Sequence, residues 1–82
     1  MGAIVNSPSV LGVAIRDARR RQGLSQTELG LRAGLTQVTV SRIERAAGRA
    51  TLQTVLLLLG VLGLELTLQP RPEQDPPFPW ET

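Results

Sequence analysis

Apolar residues in this chain recur first at helical spacing and then, near the end, at the spacing of a strand. An arm over residues 1–8 ends at Ser7-Pro8. Leu11, Ile15 and Ala18 then share one face of a helix over about residues 10–22, which Ser9 can cap and Gly23 ends. Ser25 opens a second helix, and Glu28 three residues on completes the reciprocal Ser-x-x-Glu capping pattern ahead of Leu29 and Ala33. Gly34 closes that helix after about two turns. Thr36 caps a third helix to about Arg45, with Val40 and Ile43 facing inward. A link containing Gly48 leads to a fourth helix, from Thr51 to about Leu62, whose run "VLLLLGVLGL" is apolar on every face.

The period changes at "LELTLQ", residues 64–69. Leu64, Leu66 and Leu68 alternate with Glu65, Thr67 and Gln69, the pattern of a short strand. One strand without a partner in its own chain cannot make a sheet. The expected partner is the same segment of a second copy, paired antiparallel across a two-fold axis, with fold-back onto its own domain as the alternative. A second copy would also cover the face of the fourth helix that a small bundle leaves bare. The expected fold is all-α, a bundle of four to five helices, with one C-terminal strand pairing across a homodimer. Three regions follow: residues 1–8 as an arm, 9–69 as the folded and dimerising domain, and 70–82 as a tail.

Composition narrows the function. At 82 residues the chain makes one small domain, and its core must be Leu, Val, Ile and Ala, because Phe78 and Trp80 are its whole aromatic content. No Cys or His is present, so disulfides are excluded, metal sites are not expected, and nucleophile–His chemistry has no base. No other acid–base constellation stands out, and neither an enzyme nor a cofactor is expected. All nine cations are Arg, and the formal charge is only +2. Residues 1–69 hold eight Arg against four carboxylates, a net of +4, whereas residues 70–82 carry a net of −2. A basic body suits a polyanion, and an acidic tail suits something else. The N-terminus lacks a secretory pattern, and the longest apolar run, Val55 to Leu64, is half the ~20 residues a bilayer requires. A cytoplasmic protein without membrane association is expected.

The stretch richest in information is "SQTELGLRAGLTQVTVSRIER", residues 25–45. Two short helices meet at a tight turn at Gly34-Leu35, where Gly34 tolerates positive φ, and Gly30 allows close crossing. Leu29, Ala33, Leu35, Val40 and Ile43 form the seam between them. On the third helix this leaves Gln37, Val38, Ser41, Arg42 and Arg45 facing outward. An amide can bind adenine at two points, a guanidinium can bind guanine, and a valine can touch a thymine methyl. The candidate base-reading set is therefore Thr36, Gln37, Val38, Ser41 and Arg42. Ser25, Thr39, Arg45 and Arg49 flank it as candidate phosphate contacts. Arg16, Arg20, Arg21 and Arg32 could join them or stand in solvent.

Residues 10–69 resemble the lambda-repressor-like, XRE-type helix-turn-helix family, with "LSQTELGLRAGLTQVTVSRIE" as the carrying motif. The resemblance implies that Gln26, opening the second helix, anchors a phosphate, and that Gln37, opening the third, reads a base. It also implies a structural ion pair between Arg19 and Glu44, and the helical wheel agrees by placing Glu44 beside Ile43. Gly30 departs from the Ala usual in that family, at a helix cost of about 1 kcal/mol. A dimer would set two reading helices about 34 Å apart on palindromic double-stranded operator DNA.

From Pro70 onward five of thirteen residues are Pro, and both rings lie among them in "PPFPWET". Rings flanked by prolines lose little entropy on docking, so the tail reads as a recognition element for a second protein. A helix-turn-helix, then "LGLELTLQP", then a short acidic Pro/Trp tail, resembles HipB-type antitoxins, partners of HipA-like Ser/Thr kinase toxins. The resemblance implies a homodimer that binds operator DNA, represses its own operon and restrains the kinase, with partner contact falling on Trp80 and Phe78 beside it. The competing expectations are a stand-alone XRE-type repressor without a toxin and an interaction module that does not bind DNA.

Overall fold

The computed structural model describes residues 4–70 of the chain. Four helices account for most of them: α1 (Pro8–Arg21), α2 (Gln26–Ala33), α3 (Gln37–Ala46) and α4 (Leu52–Val61). A single 3-10 turn, Ala47–Arg49, joins α3 to α4. The described residues form the all-helical bundle expected and contain no strand. Residues 64–70 run on as exposed chain without regular structure, and the strand partner expected for them is a second copy. The tail residues Phe78 and Trp80 lie outside the described residues.

Each helix start is chemically specified. Ser25 Oγ accepts from the Glu28 N–H at 3.0 Å, and Glu28 Oε1 accepts from the Ser25 N–H at 3.0 Å, so the capping box is closed in both directions. Thr36 and Thr51 cap α3 and α4, accepting from the Thr39 and Thr54 N–H groups at 3.1 Å each. The start of α1 corrects the sequence expectation. Ser7, not Ser9, is the cap, accepting from the Val10 N–H at 3.2 Å, and Pro8 is the first helical residue. Proline has no N–H to leave unpaired in a first turn, and its fixed φ already suits a helix. Residues 7 and 8 therefore belong to the bundle and not to the arm.

Ile15, Leu29, Val40 and Leu58 are fully buried, and Leu24, Ile43, Val55, Leu59 and Leu62 complete a core built without a ring. Burial selects one stripe of α4 that its sequence could not reveal. Val55, Leu58 and Leu59 face the bundle, while Leu52, Leu56 and Leu57 stay exposed. Gln22 links the end of α1 to the end of α4, its Nε2 donating to the Leu62 carbonyl at 2.7 Å.

Gly30 is explained by packing. A Cβ there would lie 2.6 Å from the Leu35 carbonyl oxygen, in backbone that cannot swing aside. Gly34, at φ 71°, makes the turn that brings Leu35 back over α2, and the Leu35 N–H donates to the Gly30 carbonyl at 2.8 Å. Gly30→Ala should therefore lower stability by about 1–3 kcal/mol despite its better helix propensity, as measured by thermal and urea unfolding. An unchanged or raised melting temperature would mean that the turn is looser than described.

The capping box also has a pH signature. The hydrogen bonds from the Ser25 backbone and side chain hold the Glu28 carboxyl below its ordinary value. A depressed folded-state value contributes stability above the unfolded-state value and loses it as pH falls through the folded one. Glu28→Gln should be less stable than the parent at neutral pH, and the gap should close as the buffer is acidified through and below the usual carboxylate range.

Candidate nucleic-acid interface

The surface of α3 opposite the core carries the expected row. Val40 and Ile43 are buried, whereas Gln37, Val38, Arg42 and Arg45 are exposed, with Val38 at 57%. Ser41 is half-buried between them. Arg45 is partly tethered, its Nε donating to the Ser41 carbonyl at 3.3 Å. Thr36 has a local role, because its Oγ1 accepts from the Thr39 N–H and bonds the Thr39 Oγ1 at 3.0 Å. Thr36 and Thr39 thus form one hydroxyl pair at the start of α3. Ser25 is likewise engaged in its capping box with Glu28.

Arg42 and Arg49 come together on the next turn of the surface. With Thr39, Ile43, Ala46, Ala50 and Thr54 they line a cleft of about 150 Å³ between α3 and the start of α4. Two guanidinium groups beside the capped N-terminus of α4 make this edge suited to anionic oxygens.

Beneath the row lies a buried ion pair. Arg19 and Glu44 are 7% and 6% exposed, and Arg19 Nε donates to Glu44 Oε2 at 2.7 Å. Arg19 Nη2 donates to Glu44 Oε1 at 3.1 Å, and its Nη1 donates to the Leu24 carbonyl at 2.8 Å. The hydrogen bond to Glu44 raises the Arg19 pKa above its ordinary value against the opposing effect of burial, so the guanidinium stays charged. Close approach of α1 and α3 depends on Gly12, where a Cβ would fall within 3.0 Å of both the Glu44 and the Ile43 backbone.

The pair extends outward through two amides. Gln26 Nε2 donates to Glu44 Oε1 at 3.1 Å, and Gln37 Nε2 donates to Gln26 Oε1 at 2.7 Å. Arg19, Glu44, Gln26 and Gln37 therefore form one line from the buried junction to the tip of α3. Sequence reasoning places each residue but not the line. Gln26 and Gln37 stand 11 positions apart, and Gln26 and Glu44 stand 18 apart. Nothing in such spacings announces contact. Thr54 at the Arg42–Arg49 cleft carries no sequence signal either, since its place there depends on how α4 packs against α3.

Two helices crossing at a glycine turn, with the second polar along its outer face, define a helix-turn-helix protein. A family model described as "Helix-turn-helix" matches residues 15–69. The chain is 34% identical over 64 residues to Antitoxin HipB of Escherichia coli (strain K12), a match spanning 78% of this chain and 73% of that protein. It is 40% identical over 57 residues to the uncharacterized HTH-type transcriptional regulator y4dL of Sinorhizobium fredii, but spans only 29% of that protein's length. Among solved structures, a chain of the HipA-HipB-O2-O3 complex superposes with a TM-score of 0.77 at 32% identity, covering 83% of this chain and 96% of that one. The chain belongs to the helix-turn-helix family, in its XRE-type, HipB-like branch. That family consists of DNA-binding regulators and antitoxins. No helix among the described residues is long and apolar enough to cross a membrane.

A buried pair is costly to break from one side and cheap to replace whole. Glu44→Leu alone should lose about 3–5 kcal/mol of unfolding free energy, because Arg19 would be left uncompensated in the interior. Arg19→Met/Glu44→Leu should recover most of that loss. If the double variant is as unstable as the single, the penalty lies elsewhere than in the orphaned charge.

Proposed function

We propose that this protein is a homodimeric, sequence-specific DNA-binding antitoxin that represses its own toxin–antitoxin operon and binds a HipA-like Ser/Thr kinase. The observation that carries the DNA-binding reading is the placement of Gln37. It stands exposed at the start of α3, held by Gln26, with Arg42, Arg45 and Arg49 exposed further along the chain. In this reading Thr36, Gln37, Val38, Ser41 and Arg42 face base edges. Ser25, Gln26, Thr39, Arg45 and Arg49 hold the backbone, with Arg42 at the boundary of the two groups. A HipB variant solved with an O2 20-mer, at TM-score 0.78 and 32% identity, supports operator DNA as the partner of this surface.

The dimer part of the proposal rests on exposed aliphatic surface. Leu56 and Leu57 on α4, with Leu64 and Leu66 beyond it, are each exposed by between 42% and 49%, and Leu68 by 92%. The 64–69 segments of two copies pair as an antiparallel ribbon over this surface in the proposed dimer. Residues 70–82 are assigned to the kinase, with Trp80 and Phe78 as anchors. This part is supported by the likeness to a chain of a HipA–HipB complex and by the ring-bearing acidic sequence.

Two variants separate the activities. Gln37→Ala should weaken binding to the preferred duplex by about 1–3 kcal/mol while leaving non-specific duplex and kinase binding intact. Arg49→Ala should instead lower affinity for all duplexes and reduce the log–log salt slope by about 0.9 for each phosphate left unneutralised. Truncation after Gln69 should spare the operator and abolish capture of a HipA-like kinase. Full-strength kinase binding by the truncated protein would remove the tail from the proposal, and salt-independent or absent duplex binding would remove the DNA.

A further inference from the structure

Glu44 touches the base-reading machinery as well as the core. On the reading of Gln37 given above, we propose that Glu44 is a positioning residue for base recognition: its carboxylate sets the direction of the Gln26–Gln37 amide chain and so the donor and acceptor that Gln37 presents. Carboxylate oxygens accept hydrogen bonds and have none to give. Arg19 occupies Oε2 through Nε and shares Oε1 through Nη2. The remaining capacity of Oε1 faces Gln26, which must therefore offer its NH₂ end, as it does at 3.1 Å.

That choice propagates. With its nitrogen turned toward Glu44, Gln26 turns its carbonyl oxygen toward Gln37. Gln37 must answer with its own NH₂, which it does at 2.7 Å. One N–H of Gln37 is consumed, and one N–H and the whole carbonyl remain, with their order fixed. Adenine presents an acceptor and a donor in fixed order in the major groove, and an amide presenting the complementary pair in the wrong order does not match it. A free glutamine samples both orders and loses that freedom on binding. Here the order is set before DNA arrives. The end of the line that sets it is 6% exposed, where water does not compete, while the end that uses it is open to solvent.

A merely structural ion pair predicts something different, and the two are separable. Arg19→Met/Glu44→Leu replaces the pair by apolar side chains of similar bulk and removes the acceptor that orients Gln26. Gln26→Leu cuts the line nearer the surface, where folding is less at risk. The full 82-residue chain first selects its preferred duplex from a randomised library, and Gln37→Ala identifies the base pair that residue 37 reads. Dissociation constants at one fixed salt concentration are then measured for the preferred duplex and for duplexes changed at that pair. Both variants should lose about tenfold of the discrimination there and keep discrimination at other pairs. A weaker phosphate grip in Gln26→Leu lowers all affinities together and cancels in the ratio.

Full discrimination in a double variant that melts cooperatively would overturn the inference and leave the ion pair a structural feature. If the double variant does not fold, full discrimination in Gln26→Leu overturns it equally. If Gln37→Ala leaves every base preference in place, the reading of Gln37 itself fails and this inference falls with it.

Discussion

A guanidinium and a carboxylate taken out of water at the crossing of α1 and α3 constrain everything around them. Arg19 is bound to Glu44 on one side and to the Leu24 carbonyl on the other, so it fixes both the crossing and the loop that leads into α2. Ion pairs in such places seldom stabilise a fold as much as an apolar pair would. Their geometry is what distinguishes them. Gly12 lets the helices approach closely enough for the pair to close, and Gly30 does the same for α2 against the turn. Among the described residues the core holds no aromatic side chain, and so has little bulk with which to fix the orientation of its helices. Here directional contacts and close backbone approach share that task with Ile15, Leu29, Val40 and Leu58.

The proposed DNA-reading surface follows from that framework. The outer face of α3 is rigid at its base because Val40 and Ile43 are buried, and ordered at its tip because Gln26 holds Gln37. Arg42 and Arg45 are exposed further along the same helix as an amide whose hydrogen-bonding capacity is only partly used. Such a surface combines a sequence-independent attraction with a directional probe, the two components that recognition of a duplex requires. The exposed leucines of α4 and of residues 64–68 lie outside the core that positions α3. The proposed association through them would leave the proposed reading face intact.

Much of this is legible in the residues. Ser25 with Glu28, Gly34, and Glu44 beside Ile43 announce the turn and the inward carboxylate, because capping and helical periodicity act over three or four positions. Ser9 competes with Ser7 for the start of α1, and the geometry of Pro8 decides between them. The buried stripe of α4 is hidden because Leu and Val occupy every face, so only its neighbours can choose Val55, Leu58 and Leu59. Gly30 reads as a helix weakness until the Leu35 carbonyl is seen against it. The amide line is invisible for a related reason: periodicity orders residues along one element and says nothing about side chains meeting between elements.

The central claim is that the tip of α3 meets base edges with Gln37 foremost. The most direct test is a crystal structure of the protein on its selected duplex. The account predicts α3 in the major groove, with the Gln37 amide about 2.7–3.2 Å from a base edge and Gln26 still in contact with it. A complex in which the duplex lies against another face, with Gln37 pointing into solvent, would contradict it.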